Sequence, residues 1–471
     1  MAIVGRTEEI SALERYYYSE RPELIIVYGR RRVGKTFLVK EFFGDKLTFC
    51  FTGRIGKSNR TSLTEFDRVI TEYGGEIGIA SKNWSDAFFK LKKLLKKLPE
   101  GRKVIFIDEM PWLDTGRSDF LSAFDYFWNS WASACPDILL IGCGSATSWI
   151  TKNIFQNRGG LHNRVTGRVH LAPFTIGECE AFLKTRGVEI ARYDMAECYM
   201  IFGGIPFYLN MFVPGLSLSQ NVDRLCFADN APLSNEFDEL YGSLFSNPNR
   251  HISIVEALAE RSSGLSRNEL LEAGNFQSNG HLTKALKELE QCDFIVGYTD
   301  YLRNKNGGYY YLKDPFTLFY LRYMKSNQKK DVYYWTNNIN DGARRAWSGY
   351  AFEQLCRMHL RQIKARLGIL GVSTETTSWR SKSASPGAQI DMVIRRKDGV
   401  TNLCEIKYAK HPYEITKTDA EALERKRMAF IMETDTKDAL HFTMITTFGL
   451  ERKGYISMIH SEVKLDDLFL I

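Results

Sequence analysis

With 471 residues, 44% of them apolar and 25% charged, the chain has material for more than one buried core and reads as three or four globular domains. A net charge of +7 is too small to demand a polyanionic partner, and no apolar run approaches the roughly 18 residues that span a bilayer. Nine scattered cysteines without a C-x-x-C pair, eight dispersed histidines and an N-terminal MAIVGRTEE lacking an apolar leader segment argue against a disulfide framework, a zinc knuckle, secretion or a membrane partner, and for a reducing cytoplasm.

The apolar run LIIVY (24–28) stops at Gly29, as a buried parallel strand does, and a helix follows from Lys35 with Phe37, Leu38, Phe42 and Phe43 as its apolar positions. A second strand is expected over Thr48–Thr52, then a helix opened by a capping box of Ser62 and Glu65. The next helix carries Phe88, Leu91, Leu94, Leu95 and Leu98 on one face and lysines 90, 92, 93, 96 and 97 on the other, a solvated basic face. Strands recur at Lys103–Ile107 and Ile138–Gly142 around a helix at Phe120–Ala134, so the predicted fold is an α/β three-layer parallel sheet over residues 1–170.

Past Leu171 the pattern turns helical to residue 248, opened by a capping box of Thr175 and Glu178. Residues 249–330 read as three helices and a hairpin, with Ser266 and Glu269 capping the second helix and Leu282, Leu286 and Leu289 lining the third. This winged-helix pattern offers His281, Lys284, Lys287, Arg303 and Lys305 to phosphates, although Glu288 and Glu290 share the third helix. An aromatic connector leads to a last α/β unit, 343–471.

GRRRVGKT, comprising Gly29, Arg30, Arg31, Arg32, Val33, Gly34, Lys35 and Thr36, satisfies G-x-x-x-x-G-K-[ST] between a strand and a helix. Its glycines allow backbone N–H groups to turn toward phosphate oxygens, Lys35 suits the β- and γ-phosphates of ATP, and the Thr36 hydroxyl suits Mg²⁺. VIFIDE ends a strand in two carboxylates, Asp108 suited to the same Mg²⁺ and Glu109 to polarising the attacking water. Ser145, ending ILLIGCGS, is a candidate γ-phosphate sensor. Among Arg158, Arg164 and Arg168, Arg164 is favoured as an arginine that neutralises charge on a neighbouring subunit's nucleotide, which implies a homo-oligomer.

Near the C-terminal end, QIDMVIR carries Asp391, and LCEIKYAK carries Glu405 and Lys407 two apart on one face of a strand. Two carboxylates on adjacent strands can hold Mg²⁺, and a lysine beside them can orient water or stabilise a phosphorane. Glu353, on the helical segment GYAFEQLCRMHL, is a further candidate for the same place.

These motifs carry two resemblances. Residues 1 to about 325 resemble the AAA+/STAND-type P-loop ATPases of archaea and bacteria: IVGRTEEI is similar to the family's GR-x-x-E segment beside the adenine, HLAPFTIGE is typical, and GGIPFYL matches its Gly-x-Pro lid motif, which implies that Pro206 approaches the base. The segment from Glu353 to Lys426 resembles the PD-(D/E)XK nucleases, a restriction-endonuclease-like fold, with Asp391, Glu405 and Lys407 in the motif positions and Lys417 and Lys426 on the following helix. Together they imply an ATP-hydrolysing, Mg²⁺-dependent DNA nuclease. The alternative is a nucleotide-dependent switch that binds DNA or protein through a silent C-terminal domain.

Overall fold

The computed structural model describes residues 2–470 except 77, 146, 157–159, 162, 246, 274–278, 300, 302–307, 328–330 and 382–386. Arg158, Arg303 and Lys305 therefore lie outside the described residues. The chain divides into two units, Met1–Pro173 and Phe174–Ile471.

The first unit is built on five parallel strands, β1 (Glu23–Tyr28), β2 (Leu47–Thr52), β3 (Lys103–Asp108), β4 (Ile138–Gly144) and β5 (Gly167–His170), in the order β2-β3-β4-β1-β5. Every residue of β4 is buried, as is expected of a parallel strand covered on both faces. One covering layer is an aromatic core in which Phe66, Trp84, Phe88, Phe120 and Phe124 from three helices meet Ile105, Ile107 and Leu140 of the sheet. The basic helix runs Trp84–Lys97 and buries Phe88, Leu91, Leu94 and Leu95, as its periodicity predicts.

Two local expectations change. The helix predicted to open at Ser62 begins one turn earlier, Asn59–Glu72, because the Ser58 side chain accepts from Thr61 N and caps it, leaving Ser62 buried inside. The strand β5 is an addition: GRVH buries only Gly167 and Val169, and its exposed Arg168 and His170 give no apolar run for a sequence reading to find.

The second unit begins with helices Ile176–Thr185, Arg192–Phe202 and Glu236–Leu244. The first of these carries the predicted Thr175–Glu178 capping box. His359 closes its entry as well: its Nε2 accepts from Ile176 N at 2.9 Å while Nδ1 donates to Leu355 O at 2.8 Å. Three helices, Pro248–Ala259, Arg267–Ala273 and Asn279–Gln291, then surround a small antiparallel sheet of β6 (Leu265–Ser266), β7 (Ile295–Thr299) and β8 (Gly308–Leu312), ordered β6-β8-β7.

The last sheet is mixed: β9 (Thr374–Arg380), β10 (Gln389–Arg396), β11 (Val400–Lys407), β12 (Ala439–Thr446) and β13 (Ser461–Lys464), ordered β13-β12-β11-β10-β9. The pairs β9/β10 and β10/β11 are antiparallel, and β11/β12 and β12/β13 are parallel. Helix Lys417–Thr434 makes the crossover from β11 to β12 and buries Leu423 and Phe430 against Trp379, Ile390, Leu403 and Phe442. Tyr301, just beyond β7, enters this same cluster; it is 8% exposed, packs edge-on to Phe430 at 4.8 Å, and its hydroxyl lies 3.2 Å from Thr436 Oγ1.

Candidate functional site

The loop after β1 has the backbone its glycines are needed for. Gly29 has φ +145°, and a Cβ there would stand 2.3 Å from Leu171 O; Gly34 has φ +93°. Arg32 between them is also left-handed at φ 70°. Lys35 opens helix Lys35–Phe43 and is 5% exposed, its Nζ donating to Gly29 O (3.0 Å) and Arg30 O (2.8 Å). The ammonium thus sits within the loop, bonded to carbonyls that a phosphate can replace. Thr36 Oγ1 donates to Asp108 Oδ2, at the end of β3, at 2.7 Å, so the hydroxyl and carboxylate expected to share a Mg²⁺ are already adjacent.

Glu109 follows with φ 50°, an uncommon backbone for a non-glycine residue and one found at functional turns. Its Oε2 accepts from Ser145 Oγ (2.9 Å) and Ser145 N (3.3 Å), so the candidate base and the candidate sensor are bonded to each other. Arg6 locks the N-terminal segment to the loop: 6% exposed, it donates to Ala172 O at 2.7 Å and Val33 O at 3.3 Å. The donor set fits ATP and Mg²⁺, with Lys35, Thr36 and Asp108 converging at a helix N-terminus. Arg164 is exposed; burial raises the nearby Asp125 carboxyl, against the weaker opposing effects of the Asn129 hydrogen bond and then of Arg164. Arg168 stacks over Phe155 at 4.2 Å. Pro206 begins the short helix Pro206–Leu209 in the second unit, after Gly203 and Gly204, both with positive φ.

In the second unit the antiparallel register pairs Met392 with Cys404, and extending it by one pair sets Asp391 opposite Glu405. Asp391 Oδ2 accepts from Ile406 N at 2.9 Å. Glu405, 9% exposed, is held by two cations, Lys407 Nζ at 2.8 Å and Lys426 Nζ at 2.6 Å. Lys417 lies apart from them, exposed and 3.8 Å from Glu421.

The electrostatics follow from this crowding. Burial, then repulsion from Glu405, raises Asp391 to about 6, against the opposing pull of Lys426. Burial, then Asp391, raises Glu353 to about 8. Burial also disfavours ionised Glu405, yet Lys426 and Lys407 outweigh it and lower its pKa. Next to this group a cavity of ≈ 250 Å³ opens, lined by Glu405, Lys407, Tyr413, Asp419 and Lys426. Among the described residues no group of three or more His, Cys, Asp or Glu is arranged to hold a metal ion. Asp391 and Glu405 face each other across adjacent strands, and Glu405 disfavours the ionised form of Asp391, so these are the two carboxylates whose oxygens would meet a cation such as Mg²⁺.

Three comparisons bear on these sites. Residues 3–212 match the family model described as an ATPase domain predominantly from Archaea. Residues 3–212 belong to this ATPase family. An uncharacterised protein of Methanocaldococcus jannaschii is 28% identical over 329 residues, 69% of each chain. An ATP-binding protein of the same archaeon is 54% identical over 43 residues, 9% of this chain and 73% of that one. Among solved structures, a Walker-type ATPase of Pyrococcus abyssi shares the fold at TM-score 0.51 and 20% identity, covering 68% of this chain and 96% of its own.

The ATPase match spans the loop Gly29–Thr36, Asp108, Glu109, Ser145 and Pro206 and ends before residue 213. Residues 213–471 fall outside it. Of the predicted site residues, the structure brings together Lys35, Thr36 and Asp108, then Glu109 with Ser145, and separately Asp391, Glu405 and Lys407 with Glu353 and Lys426. A sequence reading passes over Arg357, which is 6% exposed, donates to Asp391 O at 2.6 Å and lies over the Tyr311 ring at 4.2 Å. Its only signal is the i, i+4 spacing from Glu353, 3.9 Å away.

Proposed function

We propose that this ATPase couples nucleotide state to DNA engagement and to Mg²⁺-dependent phosphodiester cleavage in its C-terminal α/β sheet. The observation that carries the reading is the grouping of Glu405 with Lys407, Lys426, Asp391 and Glu353, of which Glu405, Lys407 and Lys426 line one cavity, in a chain that also has a P-loop ATPase domain. Mg²⁺ bound by Asp391 and Glu405 would supply a polarised phosphate oxygen and an acidified water. The chain's own residues do the rest: Lys407 carries a fixed positive charge within reach of Glu405, and Lys426 keeps Glu405 ionised. A winged-helix reading of residues 249–330 fits the three helices and small sheet, and gives the chain a second surface for DNA.

In the first unit Glu109 is the base that orients water. Ser145 holds it through two hydrogen bonds, so γ-phosphate contact at Ser145 would free it. Arg164, exposed on this unit, is the residue offered to a neighbouring copy's nucleotide. If so, ATPase activity per chain rises with protein concentration, and Arg164→Ala abolishes the rise.

The test of the main reading is plasmid nicking by the whole chain with Mg²⁺ or Mn²⁺, with and without ATP. Wild type should nick, and Asp391→Asn and Lys407→Ala should not, while DNA binding persists through phosphate contacts elsewhere. A wild type that never nicks sinks the nuclease reading. One observation favours the silent-domain alternative: Glu405 is already satisfied by two lysines, so its charge is neutralised without a metal.

A further inference from the structure

A cavity of ≈ 880 Å³ in the second unit lies outside the carboxylate group and has no part in the reading above. Its wall holds a stack of three near-parallel rings. Tyr193 is sandwiched between Tyr408 at 5.1 Å and 20° and Phe448 at 5.4 Å and 19°. Near-parallel pairs that persist through three rings present flat faces, whereas the aromatic packing of the first-unit core is mostly edge-on or tilted. Phe448 is 43% exposed, so the end of the stack is open to solvent at an orientation fixed by Tyr193.

The charges at the rim are uneven. Glu197 and Arg344 are paired and cancel. Arg345 and Lys410 also line the cavity, both exposed and, among the described residues, with no ion pair; against them stands Asp194. A flat apolar face next to two free cations is the combination that receives an unpaired base and its phosphate.

Position links this cavity to the carboxylates. Tyr408 directly follows Lys407, and Lys410 lies three residues beyond it. Ser348, in the cavity wall, precedes Glu353 by five residues on helix Gly342–Met358, roughly 7.5 Å along its axis. We propose that the Tyr408–Tyr193–Phe448 stack is a platform for an unpaired base of a DNA strand, with Arg345 and Lys410 receiving its phosphate. The proposal rests on the nuclease reading and gives it a substrate class, DNA with a single-stranded segment or frayed end.

The test uses the full chain carrying Asp391→Asn, so that DNA survives, and a 12-nucleotide single strand with one 2-aminopurine, a base whose fluorescence falls on stacking. The parent should quench the probe on binding. Phe448→Ala should lose the quench and weaken single-strand binding by about 5- to 150-fold, the worth of one base–aromatic stack. Phe448→Trp should restore both, and duplex affinity should not move. Lys410→Gln should reduce the salt dependence of binding by about one counterion.

Equal single-strand affinity and equal quench in Phe448→Ala overturn the platform. So does thymidine monophosphate binding as tightly as the oligonucleotide, which makes the cavity a free-nucleotide site. The nuclease reading fails separately: nicking without Phe448-dependent quench sinks only the platform, and quench without nicking sinks only the nuclease.

Discussion

Glu353 offers a prediction that needs neither ATP nor DNA. Its ordinary value is 4.5, and in the folded chain burial and Asp391 raise it to about 8. Between those values the folded protein binds a proton that the unfolded chain has released, so the group's contribution to stability is fully present below about 4.5 and is lost as pH rises toward 8. The full shift corresponds to roughly 5 kcal/mol at about 1.4 kcal/mol per pH unit. The side chain keeps 19% exposure and shares its charge repulsion with Asp391, so about 3 kcal/mol is the working figure.

Glu353→Gln keeps the shape and fixes the group neutral. With EDTA present to exclude metal, calorimetric scans from pH 5 to 9 should show the wild-type second unit losing thermal midpoint as pH rises. At roughly 2 °C per kcal/mol for a body of this size, the loss is about 6 °C. The variant should lose about 6 °C less than wild type over the same range, and be more stable than wild type at pH 9. Parallel slopes in the two proteins would refute the proton-binding argument, and with it the crowding of carboxylates around Asp391.

Three further outcomes concern the first unit. Lys35→Ala should abolish the ATP–Mg²⁺-induced rise in thermal midpoint without unfolding the chain; an unchanged rise would remove Lys35 from the site. Glu109→Gln should bind ATP normally while phosphate release falls by roughly 10²-fold or more, and wild-type release rates would move the base elsewhere. Gly29→Ala should both destabilise the first unit and impair nucleotide binding, because its Cβ would meet Leu171 O at 2.3 Å in a left-handed backbone; a variant with normal midpoint and affinity would contradict that crowding.

The first unit was the more legible half, for physical reasons. A parallel strand buried on both faces is a continuous apolar run, so LIIVY and ILLIGCG announce themselves, and the glycines and Lys35 follow from what a phosphate requires of a backbone. The edge strand Gly167–His170 was illegible because half its residues face water. The bond between Glu109 and Ser145 joins two strand ends 36 residues apart, which no local pattern encodes. In the second unit the alternation around Asp391 and Glu405 was readable, since it follows the two-residue period of a strand. Lys426 as the second cation on Glu405 is set by how a crossover helix lands on the sheet, and Arg357 by packing against Tyr311. Such tertiary placements leave at most a helical spacing in the sequence.

The entry of Tyr301 into the core of the last sheet has a consequence for how the chain can be divided. Residues 249–330 and 343–471 look like separable modules on paper, yet Tyr301 belongs to the cluster of Trp379, Leu403 and Phe430. A fragment beginning at 343 would keep an open socket where that ring belongs, and a fragment ending at 330 would carry the ring without its seat. The two pieces are therefore a lock and its key cast in one chain, and exchange of either between related proteins would have to carry the other along.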